Sequence, residues 1–161
     1  MSKIVVVSNI KQHIRTFLQQ ALKQHPASIS TDVQHYLIEL LCRFIKSESA
    51  NAGFGYHELP TIALLWERAQ KNTGDEQLKT LQHLGDVCLY TTGCFADSLR
   101  SRGMSQHYYI HLGTLAYRQL ATLLKNDPFG NAKTYEQLSR QFGHIVEVLQ
   151  HLSLVEENPK G

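Results

Sequence analysis

The sequence is poor in cysteine, and this scarcity excludes one class of protein. Its 161 residues contain three cysteines, Cys42, Cys88 and Cys94, with no Cys-x-x-Cys arrangement. An odd number of scattered cysteines does not build the disulfide framework of a small secreted domain. We therefore interpret them as free thiols packed inside a protein of the reducing cytosol.

Charge of one sign and long hydrophobic runs are also lacking. Sixteen basic residues against fourteen acidic ones give a net charge of +2, with no basic tract. Such a balance does not favour nucleic acid or an anionic membrane as a partner. The four apolar residues 4–7 are too few for a signal-peptide core, and no later run approaches the length of a membrane span. The sequence therefore predicts a soluble, cytoplasmic protein.

What the sequence does contain is helical periodicity. Apolar residues recur at spacings of three and four in segments near 10–24, 31–45, 60–73, 76–101, 105–125 and 134–152. This pattern predicts an all-α fold, a single-domain bundle of about six helices spanning residues 1–161. We expect residues 1–8 to form an extended N-terminal arm. Residues 49–59, which contain Gly53 and Gly55, are expected to form a flexible loop.

Histidine is the one overrepresented residue type, with nine copies. Full protonation near pH 5 would move the formal charge from +2 to +11, that is 2 plus 9, so a pH-sensing role is open. Three helical segments each place histidines on one helix face, and in two of them carboxylates share that face. Imidazole and carboxylate groups together suit iron, zinc or manganese. The three sets are Asp32, His35 and Glu39; His107 and His111; and His144, Glu147 and His151. Chance spacing on solvated faces explains these sets more simply, so we predict no metal site and no cofactor.

Catalytic signatures are missing as well. Ser98 and Cys94 lie outside any Gly-x-Ser-x-Gly elbow or cysteine-hydrolase context. Gly53-Phe54-Gly55 lacks the third glycine and the preceding strand of a phosphate-binding loop. We therefore predict no catalytic residue, and an enzyme is not the favoured interpretation.

Residues 134–143 resemble a helix-turn-helix, with a small residue followed by glycine four positions later. The segment that would read DNA, however, offers Ile145, Val146 and Val148, where groove contact needs polar and basic side chains. A simple amphipathic helix is the better interpretation of this segment.

The segment richest in functional side chains is 107–117. Tyr109, Gly113 and Tyr117 follow one another at four-residue steps, so they share a helix face on which Gly113 can admit another helix. Asp86 and Asp97 lie in a mostly apolar segment, and a buried carboxylate there needs donors such as tyrosine or arginine. Two interpretations stay open: a polar clamp between core helices, or a small ligand pocket. The candidate ligand-binding residues are Asp86, Asp97, Arg102, Tyr108, Tyr109, His111 and Tyr117.

The same region carries a family resemblance. The pattern is Leu84-Gly85-Asp86, Gly93-x-Phe95-x-x-Ser98-Leu99-x-x-Arg102, and then Tyr108-Tyr109-x-x-x-Gly113-x-x-Ala116-Tyr117. It resembles a family of small, uncharacterised bacterial all-helical proteins of unknown function, and the likeness extends from the second helix to the last. In that family acidic residues precede the paired tyrosines, whereas this chain has residues 104–107, Met-Ser-Gln-His. The resemblance implies a bacterial cytosolic protein and no particular activity.

Together these observations favour a non-enzymatic helical binding or interaction domain that self-associates. A homo-oligomer is the expected state, with a protein partner as a further option and no membrane partner. The alternative is a metal- or ligand-binding helical protein, or an enzyme, that uses histidine, aspartate and tyrosine groups between helices. DNA binding through the C-terminal helix is the least favoured of the three.

Overall fold

The computed structural model confirms an all-α fold. It describes residues 3–24, 28–50 and 59–157, with side chains at 10–24, 28–46 and 61–151, and within these ranges there is no strand. The described residues form eight helices, in chain order α1 (Lys3–Gln24), α2 (Thr31–Ala50), α3 (Leu59–Lys71), α4 (Gly74–Cys94), α5 (Ala96–Ser101), α6 (Gln106–Leu123), α7 (Ala132–Arg140) and α8 (Phe142–Glu157).

The difference from the six predicted helices comes from two breaks. The predicted helix 76–101 divides into α4 and α5 at Phe95, where the backbone leaves helical geometry (φ −126°, ψ 31°) and the ring packs edge-on against Tyr90. The predicted helix 134–152 divides into α7 and α8 at Gln141, whose side-chain amide donates to the carbonyl of Ser28. A local ring contact accompanies the first break and a contact with a residue distant in sequence accompanies the second, and apolar periodicity reveals neither break.

The predicted extended arm is wrong from Lys3 onward, because residues 3–8 form the first turns of α1. Valine and isoleucine cost only a few tenths of a kcal/mol in a helix relative to better helix formers. A run of four such residues therefore does not prevent a helix from extending through it. The predicted loop lies mostly outside the described residues, since residues 49 and 50 end α2 and Leu59 begins α3.

Helix α4 is central, and it packs most extensively along α6 and also against α3 and α8. Two glycines allow the α4–α6 approach. A Cβ atom on Gly85 would lie 2.5 Å from the Tyr117 ring, and one on Gly113 would lie 2.9 Å from Cβ of Cys88. The close helix contact predicted at Gly113 is therefore present. This packing brings Asp86, the residue after Gly85, beside Tyr117.

Helix α8 contributes its apolar side chains to the core. Ile145, Val146, Val148 and Leu149 are all buried. The segment that resembled a DNA-reading helix is therefore used for packing, and its apolar face is interior. No helix in the described part of the chain combines the length and the apolarity that a membrane crossing requires.

Candidate functional site

The most unusual polar group in the protein is the carboxylate of Asp86, whose side chain is only 3% exposed. The hydroxyl of Tyr117, from α6, donates to its Oδ1 atom at 2.6 Å. The hydroxyl of Tyr36, from α2, donates to the same atom at 2.6 Å. These lengths are typical of O–H donors to an ionised carboxylate.

The second oxygen of Asp86 is bound by a cation. Arg43 of α2 places Nη2 2.7 Å from Oδ2, and its own side chain is 51% exposed. Arg43 also lies 5.4 Å from the centre of the Phe44 ring, a cation–π distance. The guanidinium thus neutralises a buried charge while part of it remains in water.

Tyr135 of α7 extends the cluster. Its ring packs edge-on against Tyr36 at 5.5 Å and lies 5.8 Å from Tyr117. Burial raises the pKa of the Tyr135 hydroxyl as well. These ring contacts bring α7 against the hydrogen-bonded cluster of α2, α4 and α6.

Burial dominates the acid–base properties of the cluster. It raises the pKa of Asp86 to about 6, and the hydrogen bonds from Tyr117 and Tyr36 and the charge of Arg43 limit that rise. Burial also raises the pKa of Tyr117 and of Tyr36, and the negative charge of Asp86 raises both further. The cluster at neutral pH is thus a carboxylate held by neutral phenols and one guanidinium.

This geometry favours the clamp over the pocket. Both oxygens of Asp86 accept from protein donors, and the donors come from two helices other than its own. A buried carboxylate with three charge-assisted or short bonds holds those helices in a fixed arrangement. The same bonds occupy the atoms that a ligand or a substrate proton would need.

Of the seven predicted ligand-binding residues, the structure brings together Asp86 and Tyr117. Asp97 was expected to be buried, but it lies exposed on α5 and pairs with Arg100 at 2.9 Å. The short helix α5 turns this carboxylate outward after the break at Phe95. Tyr109 is fully buried, and its hydroxyl lies 3.8 Å from the sulfur of Met104. The remaining three, Arg102, Tyr108 and His111, are exposed.

Sequence reasoning missed three members of the cluster: Tyr36, Arg43 and Tyr135. Tyr36 and Arg43 are seven positions apart, so they share a face of α2 two turns from one another. They border the buried positions Val33, Leu37 and Leu40. A tyrosine and an arginine at helix spacing beside an apolar stripe are the signal that was available.

The histidine-containing helix faces do not assemble into a metal centre in the described part of the chain, which holds no group of three or more potential ligands. Oε2 of Glu39 lies 2.9 Å from Nζ of Lys11 in α1 and 3.9 Å from Nε2 of His35. His107 and His111 are exposed on α6.

A second feature lies at the surface where α6 leads into α7. Residues 125–130, here called the Phe129 turn, hold Phe129 with 90% of its surface exposed. The backbone N–H of Phe129 donates to Oδ1 of Asp127 at 2.9 Å, and that of Gly130 donates to the carbonyl of Asp127 at 3.1 Å. Asp127 in turn donates its N–H to the carbonyl of Leu124. The turn therefore presents an aromatic ring to water from a backbone that hydrogen bonds hold in place.

Beside the Phe129 turn is an open cleft of about 430 Å³ between α6 and α7, here called the α6–α7 cleft. Its lining includes the cationic residues Arg118, Lys125 and Lys133, with Ala121 and Ala132 as apolar members. Comparison with protein-family models, with curated proteins and with solved structures finds no match to this chain.

Proposed function

We propose that this chain is a non-enzymatic helical interaction domain that self-associates, and that the Phe129 turn is the surface through which it does so. The observation that carries the proposal is the exposure of Phe129 on a hydrogen-bonded turn. Burying an exposed aromatic side chain against a partner would be strongly favourable through the hydrophobic effect. Because hydrogen bonds already order the backbone of the turn, little conformational entropy is lost when the side chain binds.

The interior supports the non-enzymatic part of the proposal. The titratable groups that sequence analysis marked as chemically interesting, Asp86 and Tyr117, are hydrogen-bonded to one another across the core. Their bonds hold α4 against α6, the helix that leads directly into the Phe129 turn. The buried cluster thus serves the scaffold, and the surface presents the binding group.

The composition supports association of like copies. A net charge of +2 gives two copies of the chain little mutual repulsion. The free thiols Cys42, Cys88 and Cys94 support the cytoplasmic location that we propose with it.

Replacing Phe129 with serine tests the proposal. We expect the wild-type mass, followed by size-exclusion chromatography with light scattering, to rise above 18.3 kDa with concentration. Burying one phenylalanine contributes about 2 kcal/mol, so each Phe129 side chain that is buried at the contact and replaced by serine should weaken association about 30-fold. The exposed ring makes no core contact, so the fold should be retained.

Leu64→Ser is the matched control, because Leu64 is 63% exposed on α3 and also loses an apolar surface side chain. This variant should keep the wild-type mass profile. A wild-type mass near 18.3 kDa at every concentration, or equal weakening by both substitutions, would count against the proposal.

A further inference from the structure

The α6–α7 cleft carries an excess of positive charge. Arg118, Lys125 and Lys133 are exposed along it, and none of the three forms an ion pair with another described residue. The one carboxylate in the lining, Glu136, lies 4.0 Å from Arg140 on the next turn of α7. Since Glu136 already has a cation beside it, the cleft retains unpaired positive charge.

The same cleft has an apolar component. Ala121 of α6 and Ala132 of α7 are half-buried in its lining. Small apolar side chains between cationic ones form a site for a flat ring, because a ring can lie on the alanines with cations near its face or edge. The cleft therefore fits a ligand that combines a carboxylate with an aromatic ring.

The Phe129 turn has these two groups. Asp127 and Phe129 are two positions apart, and Oδ1 of Asp127 accepts the N–H of Phe129. A carboxylate can bind a cation through its second oxygen while the first accepts this bond. The turn thus presents one carboxylate and one exposed ring in a fixed relation.

We propose, resting on the self-association above, that two copies pair about a two-fold axis and that each inserts its Phe129 turn into the α6–α7 cleft of the other. In this pairing Asp127 faces Arg118 of the second copy, and the Phe129 ring lies on Ala121 and Ala132. The turn joins the two helices that line the cleft, so both complementary surfaces lie at the same end of the molecule. A two-fold axis at that end satisfies both contacts at once and closes the assembly as a dimer.

A charge-swap experiment tests this pairing. Arg118→Glu alone sets two carboxylates against each other in both contacts, and Asp127→Lys alone sets two cations against each other. Like charges across an interface are costly, so each variant alone should raise the Kd by roughly 100-fold. An equal mixture of the two variants should recover dimers, since one contact is native and the other pairs lysine with glutamate.

Light scattering at one protein concentration gives the masses that distinguish the outcomes. Circular dichroism checks that each variant is folded. Arg100→Glu is the control, since Arg100 is exposed on α5 and outside the cleft lining, and it should match wild type. Two monomeric variants whose mixture is dimeric support the pairing. If the wild type is dimeric but the single variants are unaffected, or if the mixture of variants stays monomeric, the pairing is overturned and self-association still holds. A monomeric wild type overturns both.

Discussion

Asp86 shows how a single buried charge is accommodated in this core. Its carboxylate is almost fully removed from water, and it keeps its charge near neutral pH because Tyr117, Tyr36 and Arg43 all donate to it. Desolvation still has a larger effect on the pKa than these bonds have, since the pKa of Asp86 rises to about 6. The cluster therefore orders the helices at some cost in stability at pH 7.

The raised pKa of Asp86 gives a pH dependence of known sign. Between about pH 4 and pH 6 the folded state binds more protons than the unfolded chain, so this carboxyl's contribution to the free energy of unfolding is full below that window and is lost as the pH rises through it. We predict that the free energy of unfolding of wild type, relative to Asp86→Asn, falls by about 2 kcal/mol from pH 4 to pH 7.

Urea denaturation followed by far-UV circular dichroism measures this difference at each pH. Asp97→Asn is the control, because it makes the same chemical change at an exposed carboxylate. If the free energy of unfolding of wild type, relative to that of Asp86→Asn, stayed constant or rose with pH, the result would contradict a raised pKa at Asp86.

The residues of the cluster were only partly predictable. Asp86 and Tyr117 stood out because an acid in an apolar segment requires a donor, and a tyrosine on a neighbouring buried face supplies one. Tyr36, Arg43 and Tyr135 come from helices distant in sequence. Local spacing cannot say which helices meet, so these partners needed the fold.

At the scale of the helices, glycine sets how closely α4 and α6 approach. Gly113 faces the ring of Phe142 and the Cβ of Cys88, and an added Cβ would lie 2.4 Å from the ring. Gly113→Ala should therefore lower the free energy of unfolding by about 2 kcal/mol, because overpacking outweighs the gain in helix propensity.

The matched control is Gly143→Ala, in the first turn of α8, where an added Cβ would meet no atom within 4 Å. Alanine there should be neutral or stabilising by up to about 1 kcal/mol. Thermal and urea unfolding of the two variants measure the contrast. Equal stability of the two would show that the α4–α6 approach does not depend on Gly113.

The helices themselves were largely predictable, because apolar stripes of period 3.6 specify them over most of the chain. The errors were at boundaries: residues 3–8, Phe95 and Gln141. Phe95 packs on Tyr90, and Gln141 binds the backbone at Ser28. The Gln141–Ser28 contact joins residues distant in sequence, and the Phe95–Tyr90 contact is a local ring packing that the spacing of apolar residues does not specify.

At the scale of the whole molecule, the buried Asp86 cluster is separate from the exposed surface through which we propose that the chain self-associates. The Asp86 cluster links α2, α4, α6 and α7, and α6 and α7 are the two helices that enclose the cleft beside Phe129. The scaffold thus fixes the relation between the Phe129 turn and the α6–α7 cleft. The sequence suggested self-association in general terms, whereas the exposure of Phe129 and the neighbouring cleft emerged only with the fold.

The central claim, that the turn of one copy occupies the cleft of another, is tested most directly by isotope-filtered NMR. An equal mixture of unlabelled and carbon-13-labelled protein reports only contacts between copies. We predict nuclear Overhauser effects between the ring protons of Phe129 in one copy and the methyl groups of Ala121 and Ala132 in the other. A self-associated sample in which these methyl groups show no contact with the ring of another copy would contradict it.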